Sequence, residues 1–597
     1  MKANFLVSAH RRARIPGCRR LFVTDPYVKH ALEVSGDDKG YDEIGIAHPS
    51  RTTREAFLRD HNFVDSKHRT YLPLLVERLN ELHGTRHEPT FWRKALALSF
   101  LRHITLCYDL FQACEDNLRV EEHDCRILAE RSFFVPSDFN EHRRFFQHTD
   151  FGQEQLFSTY CRMFHPDRHT AYEDVHRWPN GSSESAPGRP RIRRNLERLH
   201  PKRLVRRLLR LRKPTVAVIN SYFSERNLDR LIFRSRGRIQ YVQPPKAPEA
   251  SGQVDWEQRA ILCRDEPGFD RFDRFVFAVL RHAMPRTFVE DFGRFCTCYE
   301  EFLRRMPSLR WIVCEAWIGD GASSLLLALA ARRHVRHLYN EHNYLGHPFL
   351  GNNLKYLLPL VDEFATLGWS DGRASNLFPA ASLFPWIVPR NRSGLRDILY
   401  VASLPQVRAP EINASYGESG SVNAPSYLGF IRTFLDALPD ATLAEIILRK
   451  YPARHARAMQ SYDLSYVLRG RIARMKRVDD HTPSARTLLS DARLVIADYI
   501  STTYLEGLMS DIPTIFFWNR DAYHLEPGYE HFFDDLQDAG ICQTDPLQAA
   551  KLVETVKDEP ETWWHSPAVR GARSRFLSAN MGVADTMIRH LLQKSAT

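Results

Sequence analysis

Short continuous apolar runs alternate with helical patterns along most of this chain. Apolar runs of four to six residues bounded by turn residues are what parallel strands buried on both faces look like. Residues 215–220, 309–315 and 335–340 predict one set of strands. Residues 398–402, 443–449, 493–497 and a run from Pro513 predict a second. Within the first set, a Gly-Asp-Gly turn at 319–321 leads into an apolar helix over 322–332. A strand, a glycine turn, a helix and a strand make a right-handed crossover unit. In the second set, helices are predicted over 427–438 and 484–490. Nearer the N-terminus, residues 5–8 and 20–24 read as strands. Leu72, Leu75, Leu79 and Leu82 then recur at helical spacing, and the region from about 70 to 175 is expected to be mainly helical. The chain from about 548 onward is also helical in pattern.

This layout predicts an α/β protein in two parts. Residues 1–395 make an N-terminal α/β domain with the helical region and a basic linker at 178–213. Residues 396–597 make a Rossmann-like domain with terminal helices. The stretch 178–190 is the clearest linker, because its Gly, Ser and Pro cannot build a packed element together.

Composition changes this picture only slightly. The chain has 597 residues, 43% hydrophobic and 26% charged, so each part can bury its own core. Its net charge of +11 suits phosphates, anionic lipid or nucleic acid, without choosing among them. Between 189 and 213 a dozen Lys and Arg face one acid, Glu197. Leu196, Leu199, Leu204, Leu208, Leu209 and Leu211 lie among them. As a helix this is a basic amphipathic face suited to an anionic membrane surface. A solvated face with its leucines packed on the domain fits the same pattern, and Pro201 argues against one unbroken helix. Aromatics do not interleave with the basic run and no nucleic-acid motif is present, so no nucleic-acid partner is expected.

The ten cysteines follow no metal or disulfide spacing, and Cys296 and Cys298 are too close for a zinc pair. A reducing compartment is expected. With no signal-peptide pattern and no apolar window of bilayer length, the expected location is cytoplasmic, at most peripheral to the inner membrane. The chain has no P-loop, no G-x-G-x-x-G and no H-E-x-x-H, so kinase, dinucleotide dehydrogenase and zinc-protease readings lack support.

Candidate chemistry gathers at the ends of predicted strands. One cluster is Glu315, Trp317 and Asp320, and a second is Glu341, His342 and Asn343. The third joins Arg449 and Lys450 to Ser501, Thr502, Thr503 and Glu506. Residues 491–517 are the most informative stretch: a strand, a hydroxyl-rich turn, a short helix and another strand. The free N–H groups and positive dipole end of a helix start stabilise an anion, and the hydroxyls add donors. Glu506, one turn on, is suited to accept from a ribose or sugar hydroxyl. A strand, an anion-binding helix and a second strand are half of a nucleotide-binding Rossmann unit. The same residues read equally well as a plain helix cap.

Arg449, Lys450 and the helix start suit a departing phosphate without a metal. Glu341 or His342 suits the proton of an acceptor hydroxyl. Plainer readings stand beside these: Glu315 paired with an arginine, a loop-bonded His342, solvated Arg449 and Lys450. Asn80, His83 and Trp92 are further candidates, although a packed indole beside core leucines fits their spacing better.

Several short blocks resemble a known family. They are Leu79 to His83 with Phe91 and Trp92, Glu315 to Trp317 before the glycine turn, and Tyr339 to Gly346. Leu367 to Trp369, Asp498 to Glu506 with Ile512 to Thr514, and Phe532 with residues 534–541 complete the set. With these the chain resembles the transferases of bacterial O-antigen and surface-polysaccharide gene clusters. It is distantly similar to capsule Kdo transferases and CDP-glycerol glycerophosphotransferases.

The resemblance implies a GT-B-like architecture, two Rossmann-like domains facing across a cleft. The acceptor lies on the N-terminal side and the nucleotide donor on the C-terminal side. It implies transfer of a sugar or polyol-phosphate group from a nucleotide-sugar or nucleotide-polyol to a glycan or lipid-linked glycan, with no metal and no cofactor. By the same resemblance Ser501, Thr502, Thr503, Glu506 and Arg449 bind the donor, and His342 and Glu341 are catalytic. Glu315, Trp317, Asn343, Trp369 and Asp498 are substrate-side candidates. Relatives carry Gln-His-Gly where this chain has Glu341, His342 and Asn343, which places an acid beside the histidine. The alternative function is a non-catalytic basic protein that binds nucleic acid or membrane.

Overall fold

The computed structural model describes residues 3–46, 53–118, 123–176, 208–209, 211–315, 323–341, 346–350, 352, 354–370, 372, 374–391, 397–403, 424–450, 462–479, 484–500, 502–520 and 524–596. Three parallel sheets organise them.

The first sheet holds β1 (Ala3–Leu6), β2 (Arg20–Val23), β3 (Glu43–Ile46), β4 (His123–Leu128) and β5 (His169–Tyr172), in the order β3-β2-β1-β4-β5. Two of its strands match the sequence pattern. The other three are hidden in it for a physical reason. β3 is largely exposed, β4 carries His123, Asp124 and Arg126, and β5 leaves three of four residues open or half-open. None shows the apolar run of a strand buried on both faces. Between β3 and β4 run two 30-residue helices, Arg54–His83 and Pro89–Leu118, which pack on each other. The expected helical region is thus there, and it also delivers two strands to this sheet.

The second sheet holds β6 (Val216–Ile219), β7 (Ile239–Tyr241), β8 (Trp311–Cys314), β9 (Arg336–Asn340), β10 (Glu363–Thr366) and β11 (Leu377–Pro379), ordered β11-β10-β9-β8-β6-β7. β6 and β8 are buried at every position, as strands covered on both faces must be. The helix Ser323–Arg332 links β8 to β9 and lies against Pro89–Leu118. The third sheet holds β12 (Asp397–Val401), β13 (Ile446–Arg449), β14 (Arg477–Asp479), β15 (Ala492–Ala497), β16 (Thr514–Phe517) and β17 (Cys542–Gln543), ordered β14-β13-β12-β15-β16-β17. That is the 3-2-1-4-5-6 order of a Rossmann sheet.

The C-terminal helices tie the two six-stranded lobes together. The helix Pro567–Asn580 packs against Asp534–Asp538 in the lobe built on the third sheet, called the third lobe, as the lobe built on the second sheet is the second. The chain then crosses back, with Gly582 donating its N–H to the Leu367 carbonyl at 2.6 Å. The final helix, Ala584–Ala596, lays Met587, Ile588 and Leu591 on Val216, Val218, Ile239 and Leu338 of the second sheet.

Most of the basic run lies outside the described residues. Within its described end, Leu208 and Leu211 are exposed, while the Leu209 carbonyl accepts from the Gln240 side chain. Among the described residues no helix is long and apolar enough to cross a membrane.

Candidate functional site

Each six-stranded sheet reverses its strand order once, between β6 and β8 and between β12 and β15. Ligands of open α/β sheets bind outside the carboxyl ends of the strands at such switch points. In this molecule a buried acid spans each of them. Glu315 directly follows β8. One of its carboxyl oxygens accepts the Tyr222 N–H at 2.6 Å, across the switch point. The other accepts Ser382 Oγ at 2.6 Å and Asn340 Nδ2 at 3.2 Å. Asn220, between β6 and Tyr222, has φ +43°, which Asn tolerates better than most residues.

Asp498 directly follows β15 and repeats the arrangement. It accepts the Ser403 N–H at 2.8 Å across the second switch point, with the Tyr400 and Tyr427 hydroxyls at 2.7 and 2.9 Å. Burial pushes the Glu315 carboxyl up to about 7 and that of Asp498 to about 6, against the pull of their donors. Both side chains are sealed from solvent, so they shape the loops at the switch points and offer a ligand no surface of their own. Glu315 therefore bonds an amide, a hydroxyl and a backbone N–H, in place of the arginine considered from sequence. Trp317 and Asp320 lie outside the described residues.

The carboxyl end of β9 leads into Glu341. Its carboxylate accepts the Leu367 N–H at 2.8 Å and the Trp369 indole N–H at 2.7 Å. It also accepts the backbone N–H of Gly346, and burial pushes its carboxyl up to about 8. One side chain thus fixes both ends of the stretch 342–345. His342 and Asn343 belong to that stretch, outside the described residues. The Trp369 indole, held by Glu341, stacks on His347 with centroids 4.0 Å apart. His347 in turn meets Tyr529 and Phe532 from the third lobe. Backbone bonds continue the seam, Leu350 N–H to the His524 carbonyl and Glu526 N–H to the Pro348 carbonyl, each 2.8 Å.

On the facing side lies the helix Thr502–Met509, between β15 and β16. Thr502 and Thr503 are half-buried at its start, and Ser501 lies outside the described residues. Gly507 brings the helix hard against β16: a Cβ there would meet Thr514 Oγ1 at 2.1 Å. The buried Tyr504 phenol is pushed to a higher pKa, first by burial, then by Cys542 and by the negative charge of Glu341. Tyr504 and Leu505 of the helix share one apolar core with Trp369, which Glu341 holds.

Glu506 is buried and bonded by Arg486 Nη1 at 2.5 Å. Burial raises its carboxyl to about 7, with Arg486 opposing. Arg486 Nη2 also donates to the Ile387 carbonyl at 2.7 Å, and its guanidinium lies 5.9 Å from the Phe384 ring centre. Phe384 N–H is bonded to Ser382 Oγ, the same hydroxyl that reaches Glu315. Residues 382–387 thus connect the acid of one lobe to the acid of the other.

Other sequence candidates are placed differently. Arg449, at the end of β13, is buried in an ion pair with Asp479 of the neighbouring β14, which rules out the plainer reading of a solvated charge. Lys450 Nζ donates to Ser465 Oγ at 2.8 Å. Asn80 Oδ1 accepts the Trp92 indole N–H at 3.0 Å together with Thr85 and His87, and His83 bonds the Phe288 carbonyl at 3.0 Å. These residues knot helices together. Arg486, Ser382 and His347 escaped the sequence pattern. Arg486 follows a helix cap with no periodic signal, and Ser382 ends a run of small residues at 380–382.

Two Rossmann-like lobes with switch points of matching construction, joined along one seam, define a two-lobed α/β protein of GT-B-like build. The family model for LIC12162 family transferases matches residues 13–594. The chain belongs to that family and is a transferase. Among solved structures it is similar to the wall teichoic acid polymerase TagF, at 14% identity and TM-score 0.32, covering 68% of this chain and 96% of that one. It is also similar to an alpha,alpha-trehalose-phosphate synthase (UDP-forming) from Burkholderia vietnamiensis, at 10% identity and TM-score 0.34, covering 64% of this chain and 100% of that one. These overlaps are loose, and the fold stands on the chain's own sheets. No curated protein sequence matches the chain.

Proposed function

We propose that this transferase moves a sugar or polyol-phosphate group from a nucleotide-activated donor to a surface-polysaccharide acceptor, an O-antigen or capsule glycan carried on lipid. One observation carries the reading. The hydroxyl-bearing start of the helix Thr502–Met509 belongs to the Rossmann-ordered lobe, and that helix's Tyr504 and Leu505 share one apolar core with Trp369, the indole that Glu341 of the other lobe holds. In this reading an anion is held at the helix start, and the segment that follows Glu341 supplies the proton acceptor.

In this reading Ser501, Thr502 and Thr503 hold the donor phosphates and Glu506 accepts from the ribose or sugar. His342 takes the proton of the acceptor hydroxyl. Glu341, bonded to Leu367, Trp369 and Gly346, is the described residue next to it in the chain. Charge developing on the departing nucleotide is met by protein dipoles and cations rather than a metal. The enzyme works at the cytoplasmic face of the inner membrane, with residues 191–213 as its basic contact to anionic lipid.

A thermal-shift screen against UDP, CDP, GDP and CMP-linked compounds identifies the donor class, because a ligand selective for the native state raises its melting temperature. Ser501→Ala and Glu506→Ala are expected to weaken nucleotide binding in calorimetry about tenfold or more, some 1.4 kcal/mol, with the fold intact. Unchanged affinity in both variants refutes the donor site.

A further inference from the structure

Arg486 lies beside the proposed donor site, yet no pattern in the sequence marks it. It is the second residue of the helix Ala485–Asp491, whose start is fixed by Ser484 accepting the Thr487 N–H at 3.2 Å. The guanidinium spans two acceptors, Glu506 Oε1 and the Ile387 carbonyl. The Arg486 side chain is 34% exposed and that of Glu506 only 9%, so the pair shows its cation to solvent and keeps its acid beneath. Thr502 precedes Glu506 by four residues. It therefore lies on the same helix face, with Cβ atoms about 6 Å apart. A guanidinium bonded to Glu506 is within one side-chain length of the helix start. Arginine's planar fork matches two phosphate oxygens at once. Arg449, the cation expected there from sequence, is already buried against Asp479.

We infer that Arg486 is a donor-binding residue whose guanidinium moves from Glu506 to the diphosphate when the nucleotide docks, leaving the Glu506 carboxylate to accept a ribose hydroxyl. This rests on the donor-site reading above. The exchange keeps every charge partnered: the cation passes from carboxylate to phosphate, and the carboxylate receives neutral O–H donors. In the empty enzyme the pair stores the cation in place and keeps Glu506 from being buried alone, which would be costly.

The test is calorimetry on the full chain with UDP, CDP and GDP and with the matching monophosphates, for the wild type, Arg486→Ala and Arg486→Lys. Arg486→Ala is expected to weaken diphosphate binding about tenfold or more while changing monophosphate binding much less. Arg486→Lys, which keeps the charge and loses the fork, falls between, and it carries the test should the alanine variant not fold. Equal weakening of both ligand classes in the lysine variant assigns Arg486 a structural role and overturns the inference. Unchanged binding overturns it too. Tighter diphosphate binding in Arg486→Ala means that Arg486 only blocks Glu506, and this also overturns it. A wild type that binds none of the six nucleotides sinks the donor-site reading itself, and this inference with it.

Discussion

Glu315 is held by three donors from three separate segments: Tyr222, Ser382 and Asn340. An amide in its place would bring two N–H donors where the neutral acid carries one O–H, so at least one of them faces another donor. Glu315→Gln is therefore expected to destabilise the fold by about 1–3 kcal/mol despite its matching shape. The pH dependence has a definite sign. The folded carboxyl titrates near 7, above its ordinary 4.5, so its contribution is full below about 4.5 and is lost as pH rises through 7. The melting-temperature gap between wild type and Glu315→Gln should accordingly shrink from pH 5 to pH 8. A gap that stays constant, or widens, contradicts the assignment. That Glu315, Glu341 and Asp498 matter was legible because each ends an apolar strand. Their work was not, because the atoms they bind come from distant segments, Asp498 for example reaching Tyr400 and Tyr427. The Arg449 ion pair was hidden for the same reason. Asp479 becomes its neighbour only when β13 and β14 pair.

The helix Thr502–Met509 depends on one glycine for its position. Any side chain at 507 meets Thr514 Oγ1 on β16, and its Cβ would also come within 3.1–3.2 Å of that threonine's other side-chain atoms. Gly507→Ala must push the helix outward, which for an overpacked core costs about 1–3 kcal/mol. The helix start moves with it, so nucleotide affinity should fall alongside stability. Thr514→Ala removes the obstructing hydroxyl, and the double variant should recover both properties. Full additivity of the two substitutions in melting and calorimetry would show that the contact does not position the helix. In the second and third sheets β6, β8, β9, β12, β13, β15 and β16 were readable to within about three residues, since burial on both faces leaves apolar runs, while the short strands β7, β10, β11, β14 and β17 were not. In the first sheet β1 and β2 were readable, while β3, β4 and β5 were not, since they are partly open or mix polar with apolar residues.

At the scale of the molecule, the chain closes on itself through its last helix. The helix Pro567–Asn580 belongs to the third lobe, and Ala584–Ala596 belongs to the second. Between them Gly582 passes so close to the second lobe that a Cβ there would lie 1.5 Å from the Ala380 carbonyl. The crossing runs beside Leu367 and Gly368, next to the Trp369 that Glu341 holds, so the seam and the site share one stretch of backbone. Removing the final helix would uncover Val216, Val218, Ile239 and Leu338 together, a contiguous apolar face on a sheet otherwise covered on both sides. Ile588→Asp makes the milder version of that change by placing an unpaired charge in the same layer. It is expected to destabilise by at least 3 kcal/mol, and the chain cut after residue 583 is expected to aggregate. Because the lobes share the crossing, loss of the helix should also loosen the seam at His347, Tyr529 and Phe532, and lower any nucleotide-dependent thermal shift. A truncated chain that stays monomeric in sedimentation and melts like the full one would show that the second lobe stands without its C-terminal cover.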